Sequence, residues 1–178
     1  MNALGPSMQP SQLKSLIVDV PDFPTPGILF RDVMPLVRDH LASTLAALDA
    51  LLPAGAWADI DYVAGIESRG FILASALAVK HGKGFVPVRK QGKLPPPVVD
   101  HPYALEYGTG TLEMQFGRGR VLLVDDVLAT GGTLSGAAEL CARAGYEVKD
   151  LLVLVDIGIA PGFSWRKIVP KSLLVYQQ

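Results

Sequence analysis

A chain of 178 residues, 49% apolar and 19% charged, has the size of one ordinary domain and is too apolar to remain disordered. Its 14 prolines and 18 glycines are scattered and not repeated, which excludes a fibrous or low-complexity protein. A formal net charge of −1 lacks the basic excess that binding a phosphate backbone requires, so no nucleic-acid partner is expected.

The first residues, MNALGPSMQPSQLKS, have neither a basic start nor a continuous apolar stretch, so no secretory signal is read there and a cytoplasmic location is expected. A short helix is expected over residues 10–18. Pro21, Pro24 and Pro26 then crowd one short stretch, which predicts an extended, turning arm with no regular element. Apolar residues at helical spacing over 36–52 predict one amphipathic helix, ended by Pro53 and Gly55.

Beyond this helix, strands and helices alternate. DYVAGI (61–66) reads as a buried strand, RGFILASALAVKHG as a helix stopped at Gly82, and GFVPVR as a strand. VLLV (121–124) is a further strand, 131–145 a second glycine-stopped helix, and DLLVLVD and SLLVYQ the last strands. The longest apolar runs stop at aspartates, far short of the roughly 20 residues of a membrane span. Short apolar strands alternating with helices predict an α/β fold: a single-domain parallel twisted sheet flanked by helices. An insertion of roughly thirty residues, 90–119, interrupts the alternation, and excursions of that length inside a domain tend to be lids or binding loops. Its YALEYGTGTLEM has two short alternating runs around Gly-Thr-Gly, the pattern of a β-hairpin.

The stretch VLLVDDVLATGGTL carries the chemistry. Asp125 and Asp126 repel each other and are costly to bury unpaired, so a cationic or hydroxyl-rich partner is expected. They stand where a parallel strand gives way to a helix, the place where such sheets bind ligands. ATGGT then offers closely approachable backbone N–H groups, a helix N-terminus and the hydroxyls of Thr130 and Thr133. Acceptors followed by an anion cradle match a ribose 5-phosphate. No lysine follows the glycines as in a P-loop, and no complete G-x-G-x-x-G follows a strand. The plain alternative is a polar strand-to-helix turn. The single Cys141 falls in a helical pattern and reads as a small buried hydrophobe. His40, His81 and His101 form no metal-ligand spacing.

This stretch resembles the 5-phosphoribosyl 1-diphosphate (PRPP) motif of type I phosphoribosyltransferases. PDFPTPGILFRD, GIESRGFILASALA, VPVRKQGKLPPPV and YALEYGTGTLEM are similar to stretches of the adenine-specific members of that family. The resemblance implies the family's fold, with a small N-terminal hood (1–35) and a flexible hairpin lid (90–119). It also implies a transferase acting on PRPP and adenine with Mg2+, carried mainly by PRPP and water with no protein metal site, and a homodimer that contacts neither membrane nor nucleic acid.

By the same resemblance, Asp125 and Asp126 accept from the ribose hydroxyls, and Ala129, Thr130, Gly131, Gly132 and Thr133 hold the 5-phosphate. Glu67, Ser68 and Arg69 form a diphosphate loop, sometimes with a cis peptide, and Arg89, Lys90 and Lys93 join Arg69 on the diphosphate. Such a leaving group calls for clustered cations. Backbone at Leu29 and Arg31 reads adenine, with Phe30 on one face of the base and Val127 on the other. Glu106 acts near N7 and Tyr107 helps to close the lid. Two rivals are a PRPP-sensing regulator, for which no DNA-reading element is evident, and an enzyme for a 6-oxopurine. The segment 157–178 departs from the family pattern, and neither it nor the first ten residues have a role assigned.

Overall fold

The computed structural model describes residues 8–105 and 108–177, with the backbone alone for 104, 105 and 108. Its centre is a seven-stranded sheet built from β3 (Tyr62–Ile66), β4 (Gly84–Lys90), β5 (Val98–Leu105), β6 (Gly108–Gln115), β7 (Gly119–Leu128), β8 (Tyr146–Asp156) and β9 (Lys171–Val175). The spatial order is β5-β6-β4-β3-β7-β8-β9. The neighbours from β4 to β9 pair in parallel, whereas β6 joins β4, and β5 joins β6, antiparallel.

Both faces of the sheet are buried, which is why its strands read as continuous apolar runs. On β7, Leu122 and Val124 enter one core with Val63 of β3, beneath α3 (Leu41–Asp49) and α4 (Arg69–Lys80). Val121 and Leu123, one residue out of phase, enter the opposite core with Ala137, Leu140 and Cys141 of α5 (Gly132–Arg143). The expected helix over 36–52 is two: α2 (Met34–Arg38) and α3, separated by Asp39 and His40. Leu36 and Leu48 nevertheless reach one core, so apolar spacing alone could not register the bend between them.

The helix expected over 10–18 is shorter, α1 (Pro10–Lys14), and Val18 instead starts β1 (Val18–Pro21). The proline-rich arm is more regular than expected, because β1 pairs antiparallel with β2 (Leu29–Asp32) in a separate two-stranded ribbon. Pro24 and Pro26 lie between the two strands and Pro21 ends the first, so no proline sits where the ladder needs a central N–H. The insertion does form a hairpin, but Gly108-Thr109-Gly110 belongs to β6 and not to the turn: the ladder runs to Leu105↔Gly108. Gly110 is there for packing, since a Cβ on it would lie 2.7 Å from the Tyr103 ring across the ladder. The same tyrosine meets α5, where a Cβ on Gly136 would lie 2.6 Å from Tyr103 Cβ. The sheet edge therefore curls over α5, and Tyr103, Leu112 and Met114 share its core.

Candidate active site

The acid pair owes its position to unequal pairing of β7. With β3 the ladder stops at Gly65↔Val124, while with β8 it continues to Leu128↔Asp156. The expected strand end at Val124 is thus an end toward one neighbour only, and Asp125 and Asp126 stand beyond the carboxyl edge of β3. Both are buried. The cation that a buried acid pair demands is Arg69, whose Nε binds Asp126. Asp125 Oδ1 accepts the Asp126 N–H at 2.9 Å. Burial first, and then the charge of Asp126, push the Asp125 carboxyl well above the usual carboxylate range. Helix α4 reaches this point because residue 70 is glycine: a Cβ there would lie 3.0 Å from both Asp125 Oδ1 and the Val124 carbonyl.

Behind the acids, Ala129 and Thr130 lead to Gly131, which caps α5 at φ 85° with no side-chain cap. The first-turn N–H groups of α5 and the positive end of its dipole are left for an anion, with Gly132 and Thr133 as the first helical residues. The ring of Phe163 lies against Gly131 where a side chain would stand. This assigns a place to part of the segment after Asp156: it backs the turn that opens α5.

At the N-terminus of α4, the Glu67–Ser68 peptide is cis, as the resemblance allows. Glu67 accepts from Arg89 Nε and from the Lys90 N–H, both at 3.1 Å, so its carboxylate holds a cation in place. Ser68 is the N-cap of α4. Arg89 Nη1 also donates to the Lys93 carbonyl at 3.1 Å. Lys90 and Lys93 enter no ion pair among the described residues.

Arg69 connects the β1–β2 ribbon to the acids. Arg69 lies over the Phe30 ring, 5.7 Å from its centroid, while binding Asp126. Phe30 is held by an edge-on contact with Phe23 at 5.1 Å. Leu29 is 48% exposed, and among the described residues β2 pairs with β1 alone, which leaves the backbone of its other edge outside any ladder. Val127 is half-buried just past the acids. The Arg31 side chain turns away to bind Asp19 and to cover the Tyr176 ring, which Lys14 also covers. Tyr176 thus ties the hood to the end of β9.

Glu106 and Tyr107 lie outside the described residues. Three residues near the site escaped the sequence reading. Tyr103 is one: burial, and then the charges of Asp125 and Glu67, raise its phenol pKa. Phe163 and Glu113 are the others. Alternation along the hairpin marks Tyr103 and Glu113 as residues of defined face, but packing on α5 places Tyr103, and pairing with β4 and the turn at 92–94 places Glu113. Cys141 is buried and burial pushes its thiol up to about 12, consistent with a packing role. His81 stacks on Trp57 at 3.7 Å and meets Asp49, and His101 makes an exposed contact with Arg143. No helix among the described residues is long and apolar enough to cross a membrane.

Known proteins resemble this chain in sequence and fold. A family model, the phosphoribosyl transferase domain, matches residues 40–165. The adenine phosphoribosyltransferase of Hydrogenovibrio crunogenus is 49% identical over 95% of this chain and 99% of its own length; that of Bdellovibrio bacteriovorus is 52% identical over 92% and 99%. The Saccharomyces cerevisiae adenine phosphoribosyltransferase, solved with an imino-altritol bisphosphate and adenine, superposes with a TM-score of 0.83 at 34% identity, covering 93% of this chain and 98% of its own.

Proposed function

The chain belongs to the adenine phosphoribosyltransferases, and from that membership we propose how its residues divide the work. The reaction moves the 5-phosphoribosyl group of PRPP to adenine and yields AMP and diphosphate, a step of purine salvage. One observation carries the reading: Arg69 joins the acid pair of β7, at the edge leading to the anion loop of α5, to the Phe30 ring of the hood.

Asp125 and Asp126 accept from the ribose hydroxyls, and Ala129, Thr130, Gly131, Gly132 and Thr133 hold the 5-phosphate. Ribose fixed at both ends presents its anomeric carbon at one position, which lowers the entropic part of the barrier. As the hydroxyls take over Asp126, Arg69 passes to the diphosphate, so each charge exchanges one partner for another. Arg89, Lys90 and Lys93 complete the neutralisation of the leaving group. Glu67 and Ser68 line this loop, with Glu67 acting through its hold on Arg89. Bond cleavage leaves positive charge on the ribose, an oxocarbenium-like transition state, and N9 of adenine attacks from the opposite face. The free edge of β2 at Leu29 and Arg31 reads N1 and the 6-amino group with a peptide N–H and C=O, between Phe30 and Val127; a 6-oxopurine would leave those groups unpaired.

Mg2+ fits as a passenger on the diphosphate. No cluster of three His, Cys, Asp or Glu side chains among the described residues could hold a metal, whereas magnesium is content with phosphate oxygens and water, which the diphosphate of PRPP and solvent would supply. Bound there, it adds positive charge against the leaving group. The chain works as a single domain, with 1–35 as hood and 90–119 as a flexible lid that keeps water from PRPP. It acts in the cytoplasm, because PRPP carries several charges and does not cross membranes unaided. It acts as a homodimer, a reading supported by the exposed apolar Ile72, Val79 and Phe85 on and beside α4.

The deciding experiment measures AMP formation from PRPP, Mg2+ and adenine, in parallel with hypoxanthine, guanine and xanthine. Turnover with adenine alone is expected. Turnover with a 6-oxopurine would discard the hood assignment and keep the PRPP half, and PRPP binding without any turnover would favour the regulator. Glu106→Ala is expected to lower kcat about 100-fold with the KM for adenine little changed. A change in KM alone would make Glu106 a closing residue and remove it from the proton chemistry.

A further inference from the structure

Glu113 stands directly opposite Arg89 in the short β4–β6 ladder and is 3% exposed. Its carboxylate accepts three successive backbone N–H groups: Gly92 at 2.9 Å, Lys93 at 2.6 Å and Leu94 at 2.6 Å. Burial alone would raise its pKa, but those three N–H groups and the nearby Arg89 bring it below the usual carboxylate range. The gathered turn is not free to sit elsewhere, since the Gln91 N–H also donates to the Thr111 carbonyl at 3.0 Å. Arg89 spans the Lys93 carbonyl on one side and Glu67 on the other. An unbroken series of contacts therefore runs from the hairpin, through the Lys93 backbone and Arg89, to the cis-peptide loop.

We propose that Glu113 is a positioning residue for the leaving group: it fixes the 92–94 turn so that Lys93 and Arg89 converge on the diphosphate. This rests on the assignment of those two cations to the diphosphate. Three converging N–H donors require an acceptor with two oxygens and full negative charge. Glutamine would turn an NH2 group against one of them, and the turn, with Lys93 on it, would open. A carboxylate here also couples the hairpin to the chemistry, because any displacement of β6 carries the Lys93 backbone with it.

The test titrates the parent protein and Glu113→Gln with inorganic diphosphate plus Mg2+ and, separately, with AMP. AMP occupies the 5-phosphate loop and the hood, not the hairpin turn. The expected result is diphosphate affinity reduced about tenfold and AMP affinity within about twofold. Glu113→Asp, which keeps the charge but withdraws it by one methylene, should recover part of the diphosphate affinity. If Glu113→Gln does not fold, Glu113→Asp carries the comparison, with a smaller selective loss of diphosphate expected. In a Lys93→Ala background, Glu113→Gln should cost less than it does alone. Equal loss of both ligands, or unchanged diphosphate binding, would overturn the positioning role and leave the functional reading intact. A parent protein that binds neither ligand would overturn both.

Discussion

Asp125→Asn should melt above the parent protein at pH 7 and yet bind PRPP at least about tenfold more weakly. The two effects have one origin. Asp125 is 6% exposed and lies beside a second carboxylate, and its folded-state pKa is raised by burial and then by Asp126. A raised carboxyl pKa means that the folded protein favours the protonated form. Its contribution to stability is therefore present below the ordinary aspartate value of about 3.9, and is lost as pH rises through the raised one. At neutral pH, where the unfolded aspartate is charged, the folded parent bears the cost either of holding that charge inside or of protonating it, and asparagine bears neither. The neutral amide still accepts the Asp126 N–H, but it is a poorer acceptor for ribose hydroxyls. A gain of about 2–4 °C for each 1 kcal/mol relieved is the scale for a chain of this size. Calorimetry at pH 7 and again below pH 4, where the advantage should shrink, checks the stability half, and a PRPP titration checks the other. A variant that melts lower and binds equally well would remove Asp125 from the site.

Gly131→Ala should reduce kcat/KM for PRPP about 100-fold while the KM for adenine stays near that of the parent. The backbone there has φ 85°, where a Cβ costs roughly 1–2 kcal/mol, and the Phe163 ring fills the space that the methyl group would need. The loop can accommodate alanine only by moving, and the N–H groups that move are those proposed to hold the 5-phosphate. The two causes separate in the double variant: Phe163→Ala in the Gly131→Ala background should restore the part due to the ring and leave the part due to φ. Steady-state kinetics with each substrate varied in turn would show this. A loss shared equally by PRPP and adenine would point to general disorder, not to a displaced phosphate loop.

The legible parts were those whose physics is local. VLLV followed by two aspartates and a glycine turn specified a buried strand, an acid pair and a helix start within one stretch, and Arg69 supplies the cation that such a pair demands. Features set by relations between distant segments were not legible. The two-residue bend at Asp39 leaves both halves facing one core, so periodicity could not register it. Gly108 and Gly110 looked like a turn because they are glycines, whereas Gly110 makes room for Tyr103 across the ladder. Glu113 reads as one more charged residue on an alternating strand, and its role requires the turn at 92–94 to fold back onto it. Phe163 lies in the segment after Asp156, to which the sequence assigned no role, and its contact with Gly131 arises only from the return of the chain after β8.

The order of the strands bears on how the protein is made. β3 finds β4 nearby, but its other neighbour is β7, and the Arg120 N–H that bonds Asp61 at the start of that ladder is 59 residues further along the chain. A ribosome that has released β3, α4 and β4 has still to synthesise the whole hairpin before β7 emerges. Until then the apolar edge formed by Val63 and Ala64 has no partner, a condition that slows folding and invites association between nascent chains. The β5–β6 hairpin, which can close on itself while waiting, is well suited to fill that interval during synthesis.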